Sequence, residues 1–324
     1  MKRGGSNLEA KSPIQFTSIG EILVDFTPVV ESGTTVGFHM HPGGSPYNVA
    51  VGLARLGAQV EFAGKRSTDP FGRFLAAHLE REGVGTRFLS RSAAPSTLAF
   101  VSIQDGEPSF SFYGEGAADT QLLPEDLPET IASTHFLNFG SISLLREPTA
   151  TTIAELVERV RGRALLSCDP NIRPRLIADA AAFHDRLARL LEVSDIVKIS
   201  ATDLRWFDPD RSMDAAAAAL LDTGPALVVV TQGAKGAYVR TATHEMRIPA
   251  RAVDVVDTVG AGDAFTSGLL FRLAGYGVTT RTDLVRVPRD LLEESFRFAA
   301  VAAAITCTRA GSDPPRYEEV KELL

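Results

Sequence analysis

Four apolar, strand-like runs begin at His135, Ala164, Asp195 and Ala226, a period of about thirty residues. Helical patterns fill the gaps, among them Thr152 to Arg161 and Ala181 to Glu192. Two strands can lie parallel only if a long crossover joins them, and a helix supplies it. The period therefore predicts an α/β fold, a mainly parallel sheet with helices on its faces. The runs are apolar throughout, as strands covered on both faces are. No sequence repeat underlies the period, so a solenoid is excluded. The chain has 324 residues, 44% hydrophobic and 23% charged, enough for one large core.

The first third breaks the period. Ile14 to Asp25 contains the strand-like run Ile22-Leu23-Val24-Asp25, continued by Phe26. Gly43-Gly44, a Ser45 cap and Pro46 then open a helix closed by Gly57. Asp69-Pro70 starts another helix, ending near Gly83. Thr97 to Ile103 and Ser109 to Tyr113 are two β runs around Gln104-Asp105-Gly106-Glu107-Pro108, a hairpin signal. A hairpin does not belong in a βα array. It is expected as a flap beside the ligand edge of the sheet, paired with Thr34 to His41.

Residues 257 to 263 read Asp-Thr-Val-Gly-Ala-Gly-Asp, followed by an apolar helical run from Ala264. Glycines let the backbone approach a ligand, and a helix N-terminus attracts anions through its free N–H groups and dipole. A carboxylate there, Asp263, suits a proton acceptor beside a phosphate, although Asp before a helix is also a common cap. Thr231-Gln232-Gly233-Ala234-Lys235-Gly236 follows a strand and reads as a nucleotide contact or a plain turn. No Walker loop or protein-kinase signature is present. Asp25, Gly43, Gly44 and Asn48 can bind a polyol or cap local turns. Arg173, in Asp169-Pro170-Asn171-Ile172-Arg173, can pair with a phosphate or carboxylate. His39 and His41 alternate on a strand with no third ligand at metal spacing.

A net charge of −7 argues against nucleic acid or an anionic membrane. Cys168 and Cys307 sit in apolar stretches and read as reduced, buried thiols. Residues 1–12 read as a disordered tail without a signal core, and no apolar run is long enough to span a membrane. The cytoplasm is the expected location.

Together these residues resemble the ribokinase/PfkB family of carbohydrate kinases, from about Gln15 to Pro314. Gly43 to Gly57 is similar to the family's first signature and Asp257 to Phe265 to its second. Within the family, Gly20 to Phe26, Leu98-Ala99-Phe100-Val101, Gly140 to Leu144 and Asp169 to Arg173 are most similar to fructokinases. The resemblance implies a ribokinase-like three-layer sandwich spanning 13–324, with a small β lid formed by about 33–42 and 96–114 that often mediates dimerisation. It implies ATP and Mg²⁺, an activating monovalent cation, usually K⁺, and a sugar as acceptor. Asp263 would be the general base, and the N–H groups of Gly260, Ala261 and Gly262 the anion hole. Asp25, Gly43, Gly44, Asn48, Phe100 and Arg173 would bind the sugar. Ser200, Thr231, Gly233, Gly236 and Gly262 would meet the nucleotide. Asp257, Val259 and backbone carbonyls near Thr306, Arg309 and Gly311 would surround a monovalent cation, and Asp203 would reach Mg²⁺ through water.

Four positions depart from the family pattern. Asp203 stands where a longer Glu is usual, Gly114 where fructokinases carry a lid Arg, and Ala299 where an adenine-side Asn is common. Pro315 falls where a cation-site side chain is expected. Fructose is the first-choice acceptor, with 2-keto-3-deoxygluconate and ribose as alternatives. A silent sugar- or nucleotide-binding regulator on the same fold is a further alternative.

Overall fold

The computed structural model describes residues 14–104 and 107–324, with side chains from 14 to 100 and from 111 onward. The expected tail, 1–12, and the turn residues Asp105 and Gly106 lie outside this range. In chain order the strands are β1 (Gln15–Ile19), β2 (Leu23–Glu31), β3 (Thr34–Gly43), β4 (Gln59–Ser67), β5 (Gly85–Ser92), β6 (Thr97–Gln104) and β7 (Glu107–Tyr113). They continue with β8 (Phe136–Gly140), β9 (Leu165–Asp169), β10 (Ile196–Ser200), β11 (Leu227–Thr231), β12 (Ala237–Thr241) and β13 (Glu245–Ile248). The helices are α1 (Ser45–Arg55), α2 (Pro70–Arg81), α3 (Thr149–Val160), α4 (Ala180–Val193), α5 (Ala201–Phe207), α6 (Met213–Thr223), α7 (Ala261–Gly275), α8 (Arg281–Val285), α9 (Arg289–Cys307) and α10 (Tyr317–Lys321).

The four periodic runs are β8 to β11, and they lie side by side in that order. The whole sheet runs β13-β12-β11-β10-β9-β8-β1-β4-β5, parallel from β5 to β11 and antiparallel at the β12–β13 edge. Successive residues of each strand feed opposite cores. Leu165, Ile196 and Val229 join α1, α7 and α9 on one face, while Leu166, Val197 and Val230 join α3, α4 and α6 on the other. This is why the runs are apolar without alternating. The carboxyl ends of β8 to β11 place Gly140, Asp169, Ser200 and Thr231 along one edge. Among the described residues no helix is long and apolar enough to cross a membrane.

A second sheet has the order β3-β2-β6-β7. The hairpin β6–β7 is present, but it does not pair with Thr34 to His41 as expected. β2 lies between, parallel to β6 and antiparallel to β3. The segment from Ile14 onward holds two strands and not one, β1 in the large sheet and β2 in the small one. The break falls at Gly20, whose φ of +152° suits glycine, and a β-carbon there would stand 2.4 Å from Ser143 Oγ.

Pairing register gives the small sheet two unlike faces. Asp25 is opposite both Ala99 and His41, and Ala99 is opposite Phe112. Directly opposed residues share a face, so these look toward the large sheet's edge. Phe26, Met40 and Phe100 share the other face. There Phe26 stacks on Phe100 at 4.7 Å and meets Phe71 of α2 edge-on at 5.9 Å.

Candidate active site

The left-handed backbone of Gly260 (φ +76°) caps α7, with no side chain capping this end. The reading of Asp263 as a cap is therefore corrected. It is the third residue of the helix, fully inside it, and both of its oxygens point to α1. Ser45 Oγ donates to Oδ1 at 2.6 Å and Asn48 Nδ2 to Oδ2 at 2.8 Å. The expected Ser45 cap fails for the same reason, since Gly44 is the N-cap and the Ser45 hydroxyl is spent on Asp263. Burial pushes the Asp263 carboxyl up to about 6, against the pull of Ser45, Lys198 and Asn48.

A cleft of about 320 Å³ brings together Asp25, Gly44, Asn48, Arg173, Asp257, Val259, Gly260, Gly262 and Asp263. Gly43 backs it, because a β-carbon there would strike the Asp25 carboxylate at 2.2 Å. The Asp25 carboxyl is pushed up to about 7 by burial and by the charge of Asp263, with Arg173 opposing. Arg173 is turned onto its own loop and donates to Asn171 Oδ1 at 2.7 Å. Phe100 is not among the lining residues. It lies on the outer face of the small sheet, and Phe112, one face away in register, lines the cleft instead.

Three residues of this cleft escaped sequence reasoning. Glu21 is buried and accepts from Ser45 N (3.0 Å), Ser143 N (3.2 Å) and Ser143 Oγ, which ties α1 to the loop after β8. Burial raises its pKa, offset in part by these hydrogen bonds. Lys198 and Asp169 form a buried ion pair at 2.6 Å on neighbouring strands. Burial pulls the ammonium down, but the charge and hydrogen bond of Asp169 outweigh it and leave its pKa raised. The signal was a single Lys inside the apolar run Ile196–Ser200.

Beyond α7 lies an apolar groove of about 590 Å³. Thr231, Gly233 and Gly236 line one side, Ala300, Ala303, Ala304 and Cys307 of α9 the other. Cys307 is thus half-exposed and not buried as expected, whereas Cys168 is buried. Ala299 faces away from the groove, packed against Gly268, so its departure from the family pattern does not alter this wall. Groove and cleft share Thr258 and Gly262. Ser200 lines neither. Its hydroxyl accepts from Asp203 N at 3.0 Å and caps α5, and it borders a separate polar hollow with Arg205 and Arg211. Asp203 is buried, and burial raises its carboxyl against the pull of Ser200, Arg173 and Lys198.

A small cavity gathers Asp25, Thr27, His41, Asp257, Val259, Gly311 and Ser312. Asp257 accepts from Val259 N (3.1 Å) and Gly311 N (2.9 Å) and so clamps two loops together. Ser312 Oγ is buried there without a partner. Thr306 and Arg309 do not line it. The Thr306 carbonyl accepts from Arg309 N at 3.1 Å, and the Arg309 side chain pairs with Glu319 and Asp313. Among the described residues no group of three His, Cys, Asp or Glu side chains could hold a metal ion.

Residues 14–319 match the pfkB family of carbohydrate kinases. A fructokinase of Rhizobium leguminosarum bv. trifolii is 36% identical over 273 residues, covering 84% of each chain. A crystal structure of Xylella fastidiosa fructokinase with bound ATP superposes with a TM-score of 0.89 at 31% identity, covering 95% of this chain and 97% of that one. A double mutant of Vibrio cholerae O395 fructokinase, bound to fructose, ADP and potassium, gives 0.86 at 28% identity over 97% and 99% of the two chains. With two-signature spacing, sheet order and cleft all in agreement, the chain belongs to the pfkB family of carbohydrate kinases.

Proposed function

We propose that this chain is an ATP-dependent kinase that transfers the γ-phosphate of ATP to a primary hydroxyl of fructose. One observation carries the reading. A polar, carboxylate-lined cleft and an apolar groove meet at Thr258 and Gly262, beside the N-terminus of α7. A sugar fits the first, adenosine the second, and the phosphates pass the helix end between them. Relatives crystallised with ATP, or with fructose and ADP, support the same pairing.

Asp263 is positioned to take the hydroxyl proton, held by Ser45 and Asn48 in one orientation. The backbone N–H groups of Gly260, Ala261 and Gly262 stabilise charge on the transferred group. Asp25, Gly43, Gly44 and Asn48 orient the sugar, with Arg173 at the rim. Transfer of this kind depends mainly on positioning and charge neutralisation.

Two cations fit the donor sets. Mg²⁺ binds through one or two carboxylates, water and substrate phosphates, and the buried Asp203 would supply a carboxylate through water. It would neutralise phosphate charge. A monovalent cation such as K⁺ fits the Asp257 cavity, where the carboxylate keeps lone pairs beyond its two N–H partners and Ser312 Oγ lacks one. Ser312 replaces the side chain that Pro315 cannot supply. The small sheet acts as a lid over the sugar, and its exposed outer row, Val36, Phe38 and Met40, suits pairing with a second copy.

The test is ADP release over a panel of fructose, 2-keto-3-deoxygluconate, ribose and glucose at saturating MgATP. Fructose is expected to be turned over fastest. Turnover of 2-keto-3-deoxygluconate with none of fructose would overturn the choice of sugar. Turnover of no sugar would favour the silent regulator.

A further inference from the structure

Lys198 is the one buried ammonium that lines the cleft, only 6% exposed, and nothing above gives it a part in the chemistry. An ammonium carries three N–H donors. Asp169 Oδ2 accepts one of them at 2.6 Å. On another side Gly262 closes in, since a β-carbon there would stand only 2.7 Å from Nζ. The ammonium therefore sits against the first turn of α7, beside the anion-binding N–H groups, with donors left for the cleft that both residues line. Arg173, the other cation lining the cleft, is engaged by Asn171. Burying a lysine costs several kcal/mol unless it is paired, and the pairing with Asp169 keeps it charged in place.

We propose that Lys198 is a further catalytic residue, whose ammonium donates to the γ-phosphoryl oxygens of ATP, and that Asp169 is the positioning residue that holds it. This rests on the phosphoryl-transfer reading above. In the step, a lone pair of the sugar oxygen forms the new bond to the γ-phosphorus. The bond from that phosphorus to the β,γ-bridging oxygen breaks, its electron pair leaves with ADP, and the hydroxyl proton passes to Asp263. Lys198 follows the phosphoryl group through the transfer and balances its charge opposite the backbone N–H groups of α7. A side chain at position 262 would have to push the ammonium aside.

The test compares wild type, Lys198→Met and the double variant Lys198→Met/Asp169→Asn. The dissociation constants of AMP-PNP and of ADP are measured by calorimetry, alongside kcat in the sugar assay. The double variant removes both members of the ion pair, so neither is left buried without the other, and it stays informative if the single variant folds poorly. Expected is a loss of AMP-PNP affinity of about tenfold in both variants, with ADP changed less than about threefold, since ADP lacks the γ-phosphoryl group. kcat is expected to fall about 10²- to 10³-fold, as for loss of one donor to a developing anion. Equal changes for the two nucleotides, no change in either, or recovery in the double variant would each overturn the proposal. A wild type that discriminates the nucleotides through Lys198 yet phosphorylates none of the sugars would sink the fructose reading and leave this one standing.

Discussion

Asp263 sets the behaviour of the site at the scale of one residue. Replacing it by Asn keeps its shape and its neighbours but removes the proton acceptor, and kcat should drop about 10²- to 10⁴-fold with the thermal melt little changed. Retention of most of the rate would remove it from the mechanism. The carboxyl must be ionised to accept a proton, and its pKa is pushed up to about 6. kcat/KM, which reports the free enzyme, should therefore rise with pH through about 6 and level off above it. In the same profile, as pH is lowered, the loss should begin nearer 7, where Asp25 takes up its proton. Ser45→Ala removes a hydrogen bond to the charged form, so the lower kcat/KM midpoint should move upward; a midpoint that stays put would show that Ser45 does not tune the base. Asp263 and its two glycines were legible in the sequence because their chemistry is local. Its bonds to Ser45 and Asn48 were not, since more than two hundred residues of chain separate the partners. Lys198 was hidden by the opposite error, a charged residue read as part of an apolar strand.

Elements were legible where one physical rule governs them. β8 to β11 follow from buried strands joined by helices, and each begins one residue after the run that announced it. The order of the small sheet was not, because placing β2 between β3 and β6 depends on where the chain turns at Gly20. Register then decides function. Phe100 resembles a sugar contact by motif, but one step of strand parity puts it on the outer face and Phe112 on the inner. Helix packing gives a test at this scale. Gly268 lets α7 approach α9, with a β-carbon only 3.0 Å from Ala299 Cα. Gly268→Leu should cost about 1–3 kcal/mol by overpacking, read from urea unfolding, and should also narrow the groove that α9 walls. A variant as stable as wild type would mean that the two helices can part freely.

At the scale of the molecule, the small sheet carries opposite chemistry on its two faces. One turns Asp25, Thr27 and Phe112 to the cleft, and the other exposes Val36 (55%) and Met40 (39%). If a second copy covers that outer face, wild type should sediment as a dimer and Val36→Lys/Met40→Lys as a monomer. A wild type that sediments as a monomer would rule the pairing out. The small sheet is also not a separable part. β2 and β3 come between β1 and α1, while β6 and β7 come between β5 and β8, and the two pairs are stitched together by Leu23–Phe26 against Thr97–Phe100. A graft meant to change the acceptor must therefore carry residues 20–44 and 96–114 as one exchange. Either segment moved alone would bring a foreign strand to a register that the other half still dictates.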